Sequence, residues 1–184
     1  MGMSATSDHQ SAEQAAVAQL FSARGDELLR LALLLSGSRP LAEDLVQEAF
    51  ARLWQRWGNL RDPDAGVGYL RVTIVNLARS SFRRRLLELR HRVVLPAVAE
   101  PPDSAGRLDV LGALARLPMG KRACVVLRFY ADLSEEETAR LLGISPGTVK
   151  SQTHRALAQL ARLLDEPGAH AGAAASQKQR SVSR

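Results

Sequence analysis

The stretch LSEEETARLLGISPGTVKSQTHRALAQLARLL, residues 133–164, decides the fold. Ser134 stands where an N-cap belongs, and Glu137 three residues later completes a capping box. Such a cap stabilises a helix start by about 1 kcal/mol. The helix over 134–142 ends at Gly143, the residue type suited to a left-handed turn position. Ser145 then caps the next helix, with Pro146 at its first position. Ala139, Leu142 and Ile144 are small or aliphatic packing residues. Two helices joined by so short a turn cross at a steep angle, which describes a helix-turn-helix.

The second helix, 146–164, divides into two faces. With Val149 at the centre of the buried side and about 100° per residue, Ala156, Leu157, Leu160, Leu163 and Leu164 fall on that side. Lys150, Ser151, His154 and Arg155 fall on the other, near the helix N-terminus. In a recognition helix such residues reach base edges and phosphates in the major groove. The plainer reading is a solvated basic face on an ordinary helical hairpin. Two caps, a turn glycine and a basic exposed face pointing the same way favour the DNA reading. Taken singly, His154 and Ser151 also suit a merely solvated position.

Upstream, the chain is helical in a different style. From about Glu13 to Gly37, Val17, Leu20, Phe21, Leu28, Leu31, Leu34 and Leu35 recur at helical spacing. A second helix over 40–57, PLAEDLVQEAFARLWQRW, buries Leu41, Leu45, Ala49, Leu53 and Trp57, joined by Val46 and Phe50. Asp44, Gln47 and Glu48 cluster opposite, with Glu43. An acidic patch repels phosphate, so this face is either a solvated surface or a docking surface for a basic protein partner. The segment 58–66, GNLRDPDAG, reads as a loop. A third helix over about 67–92 places Leu70, Ile74, Leu77, Ala78 and Ser81 on one face and Val72, Asn76, Arg79 and Arg83 on the other. Seven Arg and one Glu lie between Arg71 and Arg92, so positive charge concentrates here. An Asn among arginines suits base reading, because its amide both donates and accepts. Phe82 fits a core position, and Tyr69 fits either stacking on a base or the core.

The whole chain has 184 residues, with 25 basic and 19 acidic side chains and a formal net charge of +6. Twenty-two of the cations are Arg, whose planar fork suits phosphate. Charge alone does not choose between nucleic acid and a membrane surface. No stretch approaches the ~20 apolar residues of a membrane span, and the N-terminus lacks the pattern of a secretory signal. A lone cysteine, Cys124, excludes an internal disulfide framework and a multi-cysteine zinc site, so a reducing cytoplasm is the expected compartment. His9, His91, His154 and His170 lack ligand spacing. With no nucleotide-binding Gly-rich loop and no credible triad, the expectation is no catalytic residue, no metal, no cofactor and no enzyme.

Helical spacing resumes at about 107–116 and 119–131. The intervening VVLPAVAEPPDSAG, 93–106, breaks all periodicity with three prolines. The expected architecture is all-α: two small helical domains joined by a flexible linker. The expected boundaries are a disordered extension at 1–14, a first domain at 15–90, a linker at 91–106, a helix-turn-helix domain at 107–165 and a disordered basic tail at 166–184.

The pair AEDLVQEAFARLW and LSEEETARLLGISPGTVKSQTHRAL, at this separation, resembles the extracytoplasmic-function (ECF) RNA polymerase sigma factors of the sigma-70 family. It is most similar to the actinobacterial SigE-like subfamily, whose recognition helices read GTVKSQ. The resemblance covers about residues 17–165 and implies a region 2 domain followed by a region 4 domain. It implies that Asp44, Gln47 and Glu48 dock on the β′ coiled coil of core polymerase. It implies that loop 58–66 captures a flipped base of the −10 element, with Asn76, Arg79 and Arg83 along the same strand. Lys150, Ser151, His154 and Arg155 are implied to read the −35 element, and the apolar surface of region 4 to touch the β flap. An anti-sigma factor is a further partner common in the family. Gln152 and Thr153 depart from the Arg and Leu of many relatives, and Val72 from an Arg. The change at Gln152 removes a DNA contact, and Thr153 puts a hydroxyl on the buried stripe.

The implied mechanism is binding, not covalent chemistry: joining core polymerase, positioning it on promoter DNA and capturing unstacked bases, each flip costing a few kcal/mol. Two other readings stand beside it. One is a helix-turn-helix regulator acting without polymerase, which leaves the acidic and Arg-rich helices unexplained. The other is an interaction module that occupies polymerase or an anti-sigma factor without directing initiation.

Overall fold

The computed structural model describes residues 4–57, 63–91 and 105–165. Seven helices and no strand occur among them: α1 (Ser4–Ser36), α2 (Arg39–Arg56), α3 (Pro63–His91), α4 (Ala105–Arg116), α5 (Met119–Phe129), α6 (Glu135–Leu142) and α7 (Pro146–Asp165). The all-α expectation holds, with several boundaries moved. Helix α1 runs back to Ser4, so the expected disordered extension at 1–14 is largely helical. Its residues are rich in Ala and Gln with neither Gly nor Pro between Ser4 and Arg24, so nothing stops the helix from propagating. Residues 63–66 of the expected loop form the first turn of α3, which Pro63 tolerates because that turn has no donor to lose. Residues 58–62, most of the expected linker (92–104) and the tail 166–184 lie outside the described residues.

Helices α1, α2 and α3 pack pairwise into one bundle. Leu28, Leu31 and Leu35 of α1 meet Leu45, Ala49 and Leu53 of α2 and Leu70 and Ile74 of α3, each almost wholly buried. Full burial of one such aliphatic side chain stabilises by roughly 1.5–3 kcal/mol. Phe21 meets Phe50 edge to face at 5.1 Å, at the rim of an open apolar groove that Val17 and Trp54 also line. The turn into α2 is made by Ser36, whose hydroxyl accepts from the Ser38 N–H at 3.3 Å and donates to the Ser38 carbonyl at 3.0 Å. Gly37, at φ +71°, ends α1 in the left-handed region and returns its N–H to the Leu33 carbonyl.

Helix α7 is the spine of the second unit, touching α4, α5 and α6. Val149 and Ala156 are fully buried against Leu114, Leu117, Ala123, Val126, Leu127 and Leu142. Cys124 sits in this core at 0% exposure. Leu157 and Leu164, expected to be buried, are 42% and 44% exposed. The buried arc of α7 is narrow, and Leu157 sits about 80° round from Val149. Phe82, expected in the core, is 38% exposed because it lies about 80° round from the buried Ile74 on α3. The two units also touch, through α4 and α5 against α1 and through α5 against α3.

Candidate nucleic-acid and partner interfaces

The local geometry of the second unit matches the capped pattern read from its residues. The Ser134 hydroxyl accepts from the Glu137 N–H at 3.1 Å, and the Glu137 carboxylate accepts from the Ser134 N–H at 2.7 Å. Gly143 closes α6 at φ +65°. The Ser145 hydroxyl accepts from the Thr148 N–H at 3.2 Å, capping α7. These devices fix α7 against α6 and aim its first turns outward.

Lys150, Ser151, His154 and Arg155 are all exposed. Lys150 and His154 are four residues apart, as are Ser151 and Arg155, so the four form one patch. Ser151 donates its hydroxyl proton to the Thr148 carbonyl at 3.1 Å, leaving its oxygen able to accept. Thr153 is half-buried, and its hydroxyl has no hydrogen-bond partner among the described residues.

On α3, Asn76 and Arg83 are exposed, and Arg79 is half-buried. Arg79 donates to the Leu142 carbonyl, at the end of α6, at 2.8 Å. Arg71, counted among the helix's positive charges, pairs with Glu27 on α1. That hydrogen bond, helped by Arg24, holds the Glu27 carboxyl below the usual carboxylate range. The Arg56 guanidinium lies 5.9 Å over the Tyr69 ring, which is half-buried. On α2, Asp44, Gln47 and Glu48 are exposed together. Arg52 donates to Glu48 at 2.8 Å, and such an exposed pair contributes little energy.

Three groups that matter here were not singled out in the sequence. Arg122 is 4% exposed and donates to the carbonyls of Leu35, Ala115 and Leu117. Burial lowers its pKa. Its signal was an Arg on the apolar stripe of α5, three residues after Met119 and four before Val126. Tyr130 donates to the Glu27 carbonyl at 3.2 Å, and Glu27 bonds Arg71; neither had a sequence signal, since both depend on how distant helices meet.

Comparison with known proteins places the chain in a family. The chain matches the family model "Sigma-70 region 2" over residues 20–86 and "Sigma-70, region 4" over residues 107–160. It is 41% identical over 143 residues to the RNA polymerase sigma-E factor of Streptomyces coelicolor, covering 74% of this chain and 79% of that one. It is 34% identical over 158 residues to the ECF RNA polymerase sigma factor SigM of Mycobacterium tuberculosis, covering 85% and 81%. Among solved structures it is similar to the sigma factor RpoE in complex with the anti-sigma factor NepR from Bartonella quintana. There the TM-score is 0.62 at 26% identity, over 87% of this chain and 98% of that one. It is also similar to CnrH in complex with the cytosolic domain of CnrY, with a TM-score of 0.60 at 28% identity, over 83% and 89%. With both regions matched in order and relatives of this identity over most of their length, the chain belongs to the sigma-70 family, among the ECF sigma factors that bind core RNA polymerase and direct promoter-specific transcription initiation.

Proposed function

We propose that this sigma factor divides its work among three faces. Asp44, Gln47 and Glu48 dock on the β′ coiled coil of core polymerase. Asn76, Arg79 and Arg83 follow the −10 strand. Lys150, Ser151, His154 and Arg155 read the −35 element. The observation that carries this reading is the joint exposure of four DNA-suited side chains at the start of a doubly capped α7. Asp44, the neutral Gln47 and Glu48 stand together on a separate helix, α2. Exposed Leu157 and Leu164 supply apolar surface for the β flap.

The working units are region 2 at 15–90 and region 4 at 107–165, with 91–106 as the connecting segment. Sigma factors are non-catalytic subunits, and this chain is no enzyme: it contributes binding and base capture while the polymerase performs catalysis. No helix among the described residues is long and apolar enough to cross a membrane. The protein acts in the cytoplasm, where its polymerase is. The similar RpoE and CnrH structures are complexes, RpoE's with an anti-sigma factor, so an anti-sigma factor is a fitting partner here.

Run-off transcription from fragmented host DNA, with purified core polymerase with and without the protein, tests the reading. Defined new transcripts are expected, with start sites that give both promoter elements. Core binding without transcripts would favour an interaction module, and no core binding would favour a free-standing regulator.

A further inference from the structure

An open pocket of about 370 Å³ lies between the start of α2 and the C-terminal part of α3. Ser38 and Asp44 line it on the α2 side, and Ser81, Arg84 and Arg85 on the α3 side. Asp44, Arg84 and Arg85 are exposed, and the two serines are half-buried. None of the three charged groups has an ion-pair partner among the described residues. Ser38 is the N-cap of α2, yet its side chain makes no capping bond. The neighbouring Arg39 is held by Glu43 at 2.9 Å. The pocket therefore has two guanidiniums, two hydroxyls and one carboxylate, a net charge of one positive. Hydroxyls and planar guanidiniums converging from two helices suit a phosphate group.

The residues assigned to the −10 strand lie on another side of α3. Counted at about 100° per residue from Asn76, Tyr69 and Arg83 are each about 20° away, while Ser81 and Arg85 are about 140° and 180° round. Arg83 and Arg85 thus stand on opposite sides of one helix. A helix with its side chains is about 10–12 Å across, and the major groove of duplex DNA is about 12 Å wide. A duplex meeting this part of α3 brings phosphates of one strand to Arg83 and of the other to Arg85. The far end of the stripe has Tyr69, whose ring suits an unpaired base, so the cationic end is the duplex end. Asp44 opposes a phosphate in the pocket, because like charges repel. It is also one of the residues assigned to the β′ coiled coil. A basic group docking there neutralises Asp44 and leaves the two guanidiniums unopposed.

We propose that Arg84 and Arg85 bind a DNA backbone phosphate at the duplex edge of the −10 element, and that Asp44 holds this site weak until core polymerase docks. The inference rests on the proposed function for its polymerase step and its −10 register, while the phosphate site itself rests on the pocket. Core docking and DNA binding then meet at one carboxylate. Each strengthens the other by the same factor, as linkage requires, with no change of fold.

The test uses the full chain and a labelled DNA fork, a duplex with one single-stranded arm, followed by fluorescence anisotropy at several salt concentrations. Circular dichroism checks that each variant stays helical. In the free chain, Asp44→Asn is expected to tighten fork binding roughly threefold. Asp26→Asn, an equal charge change at an exposed site on α1, is expected to do clearly less. Arg84→Ala combined with Arg85→Ala is expected to weaken binding and to lower the salt slope by about one to two. In that double variant, Asp44→Asn should gain nothing. With saturating core polymerase, and core alone as the blank, parent and Asp44→Asn are expected to bind the fork equally, because docking has already neutralised Asp44. An unchanged salt slope in the double arginine variant overturns the phosphate site. Equal tightening by Asp44→Asn and Asp26→Asn overturns the guarding role of Asp44. A holoenzyme in which Asp44→Asn still binds tighter overturns the coupling. If the parent chain does not bind core at all, the proposed function and the coupling fall together, while the free-chain measurements still decide the phosphate site.

Discussion

The Ser134 hydroxyl and the Glu137 carboxylate each accept a hydrogen bond from the other residue's backbone N–H, at 3.1 and 2.7 Å. The pair satisfies two donors that the start of α6 would otherwise leave to water. It also fixes the angle at which α6 enters the turn to α7, so stability and DNA reading share one device. Ser134→Ala is expected to cost about 1 kcal/mol, read as a thermal midpoint lower by several degrees. The expected loss in −35 binding is similar in size, and an unchanged midpoint would mean that the cap is idle.

The Glu27 carboxyl joins α1 to α3 through Arg71, whose hydrogen bond is the chief cause of its lowered pKa. A carboxyl with a depressed folded-state pKa adds stability that is present above its unfolded pKa. That stability is lost as pH falls through the folded value. The expected loss therefore comes only under acid, as pH falls from the usual carboxylate range to the lowered folded value. The two side chains are 30% and 32% exposed, so solvent screening keeps the effect modest. Denaturant midpoints at neutral pH and at stepwise lower pH should fall less steeply in Glu27→Gln than in the parent.

Cys124 lies in the region 4 core at 0% exposure, and burial pushes its thiol pKa up, with Arg79 opposing. A thiolate is the reactive form, so the native protein should not react with a thiol reagent, while the unfolded chain should react once. Rapid labelling of the native protein would mean that α5 opens locally far more often than its packing suggests.

The helix-turn-helix was legible because its signals are local. Ser134, Glu137, Gly143 and Ser145 act within a few residues of themselves, and each occupies its expected geometry. The buried stripes of α2 and α3 were legible for the same reason. Leu157 and Phe82 were misplaced because periodicity marks a face without saying how wide a partner covers it. Arg79 shows the sharper limit. Its face on α3 follows from the sequence, but its hydrogen bond to Leu142 joins residues 63 positions apart. No local pattern encodes such a meeting. Arg122 lay between these cases, visible as a charge on an apolar stripe but with its carbonyl partners hidden.

Lys150 and Arg155 stand on the same exposed patch but should fail differently. A Lys is a point charge suited to phosphate, and an Arg fork suits a base edge. Lys150→Ala is expected to weaken promoter binding about equally for all sequences and to reduce its salt slope by about one. Arg155→Ala is expected to cost about 1–3 kcal/mol and to relax preference at one position of the −35 element. Holoenzyme binding to a set of single-substituted −35 sites, at several salt concentrations, separates the two. Equal salt slopes and equal sequence profiles would mean that both residues touch only the backbone.

Thr138 and Thr153 each bury a hydroxyl that has no hydrogen-bond partner among the described residues, one on α6 and one on α7. Thr138 is 0% exposed. A buried hydroxyl without a partner costs about 1–3 kcal/mol, whereas Val keeps the same branched shape without the polar atom. Valine is no worse than threonine in a helix. Thr138→Val is therefore expected to raise the thermal midpoint by several degrees. Thr153→Val should do the same by less, because its side chain is only half-buried. Neither change touches Lys150, Ser151, His154 or Arg155, so −35 binding should keep its affinity while the domain gains stability. A lower midpoint in Thr138→Val would mean that the hydroxyl is held by water or by a neighbouring carbonyl after all.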